Sequence, residues 1–174
     1  LALSFDEHKK NRRNKVASLP SVWIGSCSDA GKHVARKTLS LVVFDAPCLF
    51  RESSVRALER AGIPWRLGLT TPSLGGVWAG VRAGLGVSAR TPIGVPSYLA
   101  ILQADCKLPK LPPVDLLIHC ADEPRPAVKE LRDMLYDAAA TKCRELVGMK
   151  VGGRLSKHAA HSRAAQATSS KRVV

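Results

Sequence analysis

The sequence predicts an α/β fold, a parallel or mixed sheet with helices on its faces, and three observations predict it. Between residues 39 and 91, segments patterned as strand, helix, strand, helix and strand follow one another, the alternation that builds a parallel sheet covered by its own crossovers. The run Leu39, Ser40, Leu41, Val42, Val43, Phe44 is apolar at all but one position, as a strand buried on both faces must be. Hydrophobic residues make up 45% of the 174 positions, enough for a packed core. That length accommodates one ordinary domain or two small lobes.

Each element has a local reason. Residues 1–5 are apolar at odd positions and read as a strand, and because the first residue is Leu1 and not Met, the sequence looks cut from a longer parent. A polar loop is expected over 6–18, then a second strand over 19–25 centred on Val22, Trp23 and Ile24. Residues 26–38 are rich in Ser, Gly and Lys and read as a surface loop. After the strand at 39–44, the apolar positions Leu49, Phe50, Val55, Leu58 and Ala61 share one side of a helix whose other side carries Arg51, Glu52, Arg56, Glu59 and Arg60, with Gly62 as its stop. A strand over 63–69 ends at Thr70, Thr71, Pro72 and Ser73. There Ser73 is the expected N-cap of a helix bearing Leu74, Val77, Trp78, Val81 and Leu85, which leaves through Gly84. Further strands are expected over 86–91, 98–102 and 114–120, and a long helix over 127–147 with Leu131, Met134 and Leu135 on its buried stripe. From residue 148 onward Gly, Ala, Ser, Lys and Arg dominate, a composition that cannot bury enough apolar surface to order itself.

A formal charge of +13 invites a nucleic-acid reading, but its distribution argues otherwise. Residues 1–38 carry +5, residues 141–174 carry +7, and the middle of the chain carries only +1. A nucleic-acid platform places its basic stripe on the folded part with aromatic residues between, and aromatics are 5% here. A basic nucleic-acid-associated protein using its charged termini is therefore the second reading, behind solvated ends. Five widely spaced cysteines with no CxxC pair fit free thiols of a reducing, cytoplasmic compartment better than a disulfide framework. No signal peptide precedes the first strand, and no apolar run approaches the roughly 18 residues of a membrane span.

Motifs for catalysis are weak. The Gly84-Leu85-Gly86 sequence follows a helix and leads into a strand, the reverse of a dinucleotide site, so it reads as a helix exit. Cys27 with His33, and His119 with Cys120, lack a second ligand pair at zinc spacing, and His158 and His161 sit in the basic tail. No G-x-S-x-G elbow surrounds Ser73. No enzyme, cofactor or metal is expected. What remains is a pair of strand ends, at residues 45–48 and 70–73, that both open into helix N-termini. In a parallel sheet such ends share one edge, where open α/β sheets bind ligands and where free N–H groups suit an anion.

These same residues carry a family resemblance. The motifs APCLFR, AGIPWR and TPSLGGVWAGVRAGLGV, in that order across residues 41–92, resemble the distal lobe of the effector-binding domain of LysR-type transcriptional regulators. LALSF with LPSVWIG is similar to the end of the proximal lobe and the first hinge crossover, TPIGVPSYLAIL to the second crossover, and LPPVDLLIHCADEPRPAVKELRDML to the closing strand and helix. The resemblance implies a periplasmic-binding-protein-like (type 2) distal lobe with remnants of the proximal lobe. Residues 1–18 would be a proximal strand and loop, 19–97 the distal lobe with the hinge crossovers, 98–147 proximal strand and closing helix, and 148–174 a basic disordered tail. It further implies an effector site walled by Asp45, Pro47, Cys48, Phe50, Thr71 and Ser73. The partners implied are a small anionic or aromatic acid effector, a second copy of the chain, and DNA only through a helix-turn-helix domain that this sequence lacks, with no membrane. Cys48 occupies the place of the reactive cysteine in the family's peroxide-sensing member, but the position nine residues on is Ala57, so a packed thiol is the expectation.

Overall fold

A computed structural model describes residues 1–7, 14–26, 38–102 and 106–148. Expectations for 27–37 and for the basic tail, including Cys27, His33, His158 and His161, lie outside the described residues.

The strands are β1 (Ala2–Glu7), β2 (Lys15–Leu19), β3 (Val22–Ser26), β4 (Leu39–Phe44), β5 (Trp65–Thr71), β6 (Ser88–Arg90), β7 (Leu99–Ile101) and β8 (Val114–His119). The helices are α1 (Leu49–Arg60), α2 (Leu74–Arg82) and α3 (Pro126–Gly148). Strand β4 is the pivot. It pairs with β5 in parallel, and on its other side Val42 N–H donates to the Val87 carbonyl while Val87 N–H donates to that of Ser40. Through this parallel bridge β4 joins β6, which lies antiparallel to β3, and β3 is antiparallel to β7. The result is a mixed sheet in the order β5, β4, β6, β3, β7 rather than a purely parallel one.

The pleat of β4 explains why its sequence is apolar almost throughout. Leu39, Leu41 and Val43 point to one face, packing with Trp23, Leu58, Val87 and Ala89, whereas Val42 points to the other, packing with Ile24, Val77, Trp78, Val81 and Leu99. Thus α1 covers one face and α2 the other. Gly86 is required by the close passage of the strands, since a Cβ there would collide with the Ser40 carbonyl oxygen. The Gly-x-Gly element is indeed a helix exit, with Gly84 at φ 74°.

A second sheet has the order β1, β8, β2, antiparallel throughout. Leu19, Val114, Leu116 and Phe50 form its apolar cluster together with Cys143. Phe50 thereby ties the start of α1 to this sheet, and its ring meets Phe5 edge-on with centroids 5.6 Å apart. Beside that cluster is a polar one, in which buried Asp115 accepts from Ser18 Oγ at 2.7 Å and pairs with Lys15 Nζ at 3.0 Å.

Four expectations need correction. The segment 15–18 is not loop but most of β2, and the single strand expected at 19–25 is two, because Pro20 has no N–H to continue a ladder. Lys15 and Ser18 disguise this strand as polar because both serve Asp115. The strand expected at 63–69 runs Trp65–Thr71, since Ile63 and Pro64 complete the turn, with the Pro64 carbonyl accepting from Leu39 N–H. The stripe assigned to α3 is wrong: Leu131 and Met134 are 49% and 64% exposed. The helix instead packs in its second half, through Ala139 and the buried Cys143.

Candidate functional site

The parallel register places Phe44 opposite Thr71, so the two strand ends leave the sheet side by side. Asp45 N–H donates to the Thr71 carbonyl at 3.3 Å, which fastens one turn to the other. From there each turn enters a helix differently. Ser73 caps α2, its Oγ accepting from Gly76 N–H at 3.0 Å, and Thr71 Oγ1 accepts from Ser73 N–H at 3.4 Å. Cys48 is the N-cap of α1 but makes no side-chain cap bond, so the first-turn N–H groups of that helix keep their capacity for an acceptor. The Ala46–Pro47 peptide between them is cis.

Six residues were expected here, and the structure divides them. Asp45, Pro47 and Ser73 are exposed and Thr71 is half-buried, forming a rim. Cys48 is half-buried behind it, and Phe50 is deeper still, only 6% exposed, so that its ring lies beneath the turns as a support. A small cavity of about 10 Å³ sits at this inner level, between Val43, Phe44, Cys48, Phe50, Arg51, Ser88, Ala89 and Arg90.

Arg90 is the residue that sequence reasoning missed. It ends β6, and the bridge of Val87 to Leu41 carries that strand end to the same edge as β4. Its guanidinium carbon stands 4.9 Å from the Phe44 ring centroid and 4.5 Å from that of Phe50, a cation held between two aromatic faces. Burial pushes this guanidinium down from the usual arginine value, and the ionised Cys48 sulfur would pull it back up. A half-buried positive charge next to uncapped N–H groups is an arrangement that an incoming anion stabilises. The only hint in the sequence was a charge closing the otherwise small and apolar run from Gly86 to Ala89.

The other candidate chemistry resolves locally. His119 Nε2 is 2.9 Å from Ser4 Oγ across the β1 and β8 pair. Among the described residues, no group of three His, Cys, Asp or Glu side chains is placed to hold a metal ion. Among them, too, no helix is long and apolar enough to cross a membrane.

No family model matches the sequence. Among curated proteins, it is 38% identical over 93 residues to the HTH-type transcriptional regulator PecT of Dickeya dadantii, covering 53% of this chain and 29% of PecT. It is 35% identical over 106 residues to the HTH-type transcriptional regulator DgdR of Burkholderia cepacia, covering 61% of this chain and 35% of DgdR. The matched part thus spans about a third of the length of these relatives. Among solved structures, the regulatory domain of a HypT mutant from Salmonella typhimurium superposes with a TM-score of 0.61 at 11% identity, over 79% of this chain and 74% of that one. The Synechocystis CcmR regulatory domain in complex with 2-PG gives 0.54 at 16% identity, over 78% and 72%. HinK, a LysR family regulator from Pseudomonas aeruginosa, gives 0.52 at 13%, over 80% and 53%. The chain is thus similar in sequence to part of two HTH-type transcriptional regulators, and it shares its fold with the regulatory domains of LysR-type regulators.

Proposed function

We propose that the chain is the small-molecule-sensing part of a LysR-type regulator, that it catalyses no reaction, and that it works in the cytoplasm with DNA contacts made by a helix-turn-helix domain outside this sequence. The mixed sheet with α1 and α2 serves as the distal lobe. The sheet of β1, β8 and β2 with α3 serves as the proximal part, so the proposed boundaries between the two are Pro20 and the segment after β7, in place of residues 18 and 97.

One observation carries the reading: the register of Phe44 against Thr71 sets two helix-opening turns side by side, with the Arg90 guanidinium behind them. The effector is accordingly a small acid. Its carboxylate accepts from the first-turn N–H groups of α1 and from Arg90, while Asp45, Pro47, Thr71 and Ser73 define the rim and Cys48 and Phe50 the inner wall. Charge-assisted bonds of this kind are short and directional, so they fix the orientation of the acid as well as its affinity. The CcmR domain, which shares the fold, is in complex with 2-PG, and that supports a small-ligand site in this architecture.

A thermal-shift panel of aliphatic and aromatic carboxylates tests the proposal. A cognate acid at a hundred times its Kd adds about 2.7 kcal/mol to stability and raises Tm accordingly. No rise with any acid in the panel contradicts a working site.

A further inference from the structure

A groove of about 530 Å³ runs beside α1, lined by Ser53, Arg56, Glu59, Arg60 and the segment Pro112, Pro113, Val114. It shares α1 with the strand-end site but none of that site's residues. We propose that this groove is a second ligand site, selective for a small monocarboxylic acid with an apolar body.

The sequence spacing is the first reason. Ser53, Arg56 and Arg60 recur at i, i+3 and i+7, which places them on one stripe of the helix. Arg60 donates from Nε to the Arg56 carbonyl at 3.0 Å, a bond that anchors the side chain along the helix. Arg56 leans toward Glu52 at 3.9 Å, an exposed pair that an incoming carboxylate can share. With Glu59 on the same lining and Glu52 beside Arg56, two guanidinium groups stand among two carboxylates, so the groove is close to neutral. A near-neutral groove of this kind suits a singly charged acid better than a phosphate or a polyanion.

The opposite wall supplies the other half of the selectivity. Pro112 and Pro113 have no N–H to offer and present ring carbons, and Val114 continues that wall, so a hydrocarbon or aromatic body suits it. The floor provides the most specific feature. Ser53 is 3% exposed, and among the described residues its Oγ has no hydrogen-bond partner. A buried hydroxyl without a partner is uncommon, and a carboxylate oxygen seated between the two arginines would accept from it after a small movement of the groove wall.

Amide chemical-shift mapping on the full chain decides the matter, with benzoate as the probe and sulfate at matched ionic strength as the head-group control. Benzoate is expected to give saturable shifts at the amides of residues 53–60 and 114. Arg56→Gln combined with Arg60→Gln should weaken that binding at least tenfold while leaving any shifts at 45–51 and 88–90 in place. Ser53→Ala, which removes one oxygen and preserves packing, should weaken it by a smaller factor. Shifts at 53–60 that persist in the double variant, or that sulfate reproduces in full, would overturn the site. So would shifts confined to 45–51 and 88–90, an outcome that leaves the strand-end effector site standing.

Discussion

The two sheets of this protein solve the burial problem in different ways. In the mixed sheet, β4 is sandwiched, its alternating side chains consumed by α1 on one face and α2 on the other, and Leu41, Val42, Leu58, Val77 and Val81 are wholly buried. In the β1, β8, β2 sheet, the apolar cluster is smaller, it borrows Phe50 from the neighbouring layer, and it sits beside the buried polar group of Asp115, Lys15 and Ser18. Around it Leu1 before β1, Leu3 within β1, and Leu131 and Met134 of α3 remain exposed. One region is held by apolar layers on both faces of its central strand, the other by a smaller apolar cluster that includes a shared aromatic and lies beside a charge network. The difference places the rigid part of the molecule directly under the strand-end turns, where a binding site needs its support.

The sharpest way to break this comparison is in the sandwich. Leu41→Ala should cost about 2–5 kcal/mol in urea unfolding, because both the buried area and the cavity count against it. In the other sheet the equivalent blow is polar: Asp115→Ala should cost about 1–3 kcal/mol by removing the acceptor that Ser18 Oγ and Lys15 Nζ share, and a cost near zero would mean that the network contributes nothing there. Least of all, Leu131→Ala should change stability by under about 0.5 kcal/mol, as exposed substitutions do. If it matched Leu41→Ala, α3 would be packed along the stripe that its periodicity suggests, and the contrast would collapse.

The same contrast governs what the sequence reveals. In the mixed sheet each element writes its burial into its own residues: β4 is a plain apolar run, Ser73 caps α2 as its position requires, and Gly84 ends that helix in the left-handed region. From β4 through α1 and β5 to α2, neighbours in the chain are also neighbours in space, so local pattern suffices there. Strand β2 escapes notice because its partner, β8, lies about a hundred residues away and asks for a lysine and a serine rather than alternating hydrophobes. Leu131 and Met134 mislead for the opposite reason, since an amphipathic period says that a helix could be covered, not that the described chain covers it. At the site, both turns were legible from their strand-to-helix grammar. Arg90 was not, because only the bridge between Leu41 and Val87 brings β6 to that edge.

The central claim is that an acid binds at the strand ends with Arg90 as its charged partner. Calorimetric titration of the most stabilising carboxylate into the chain and into Arg90→Gln tests it most directly. A Kd at least tenfold weaker in the variant, corresponding to about 1.4 kcal/mol, is the expected result. An unchanged Kd would contradict the account, since the acid would then be bound without Arg90.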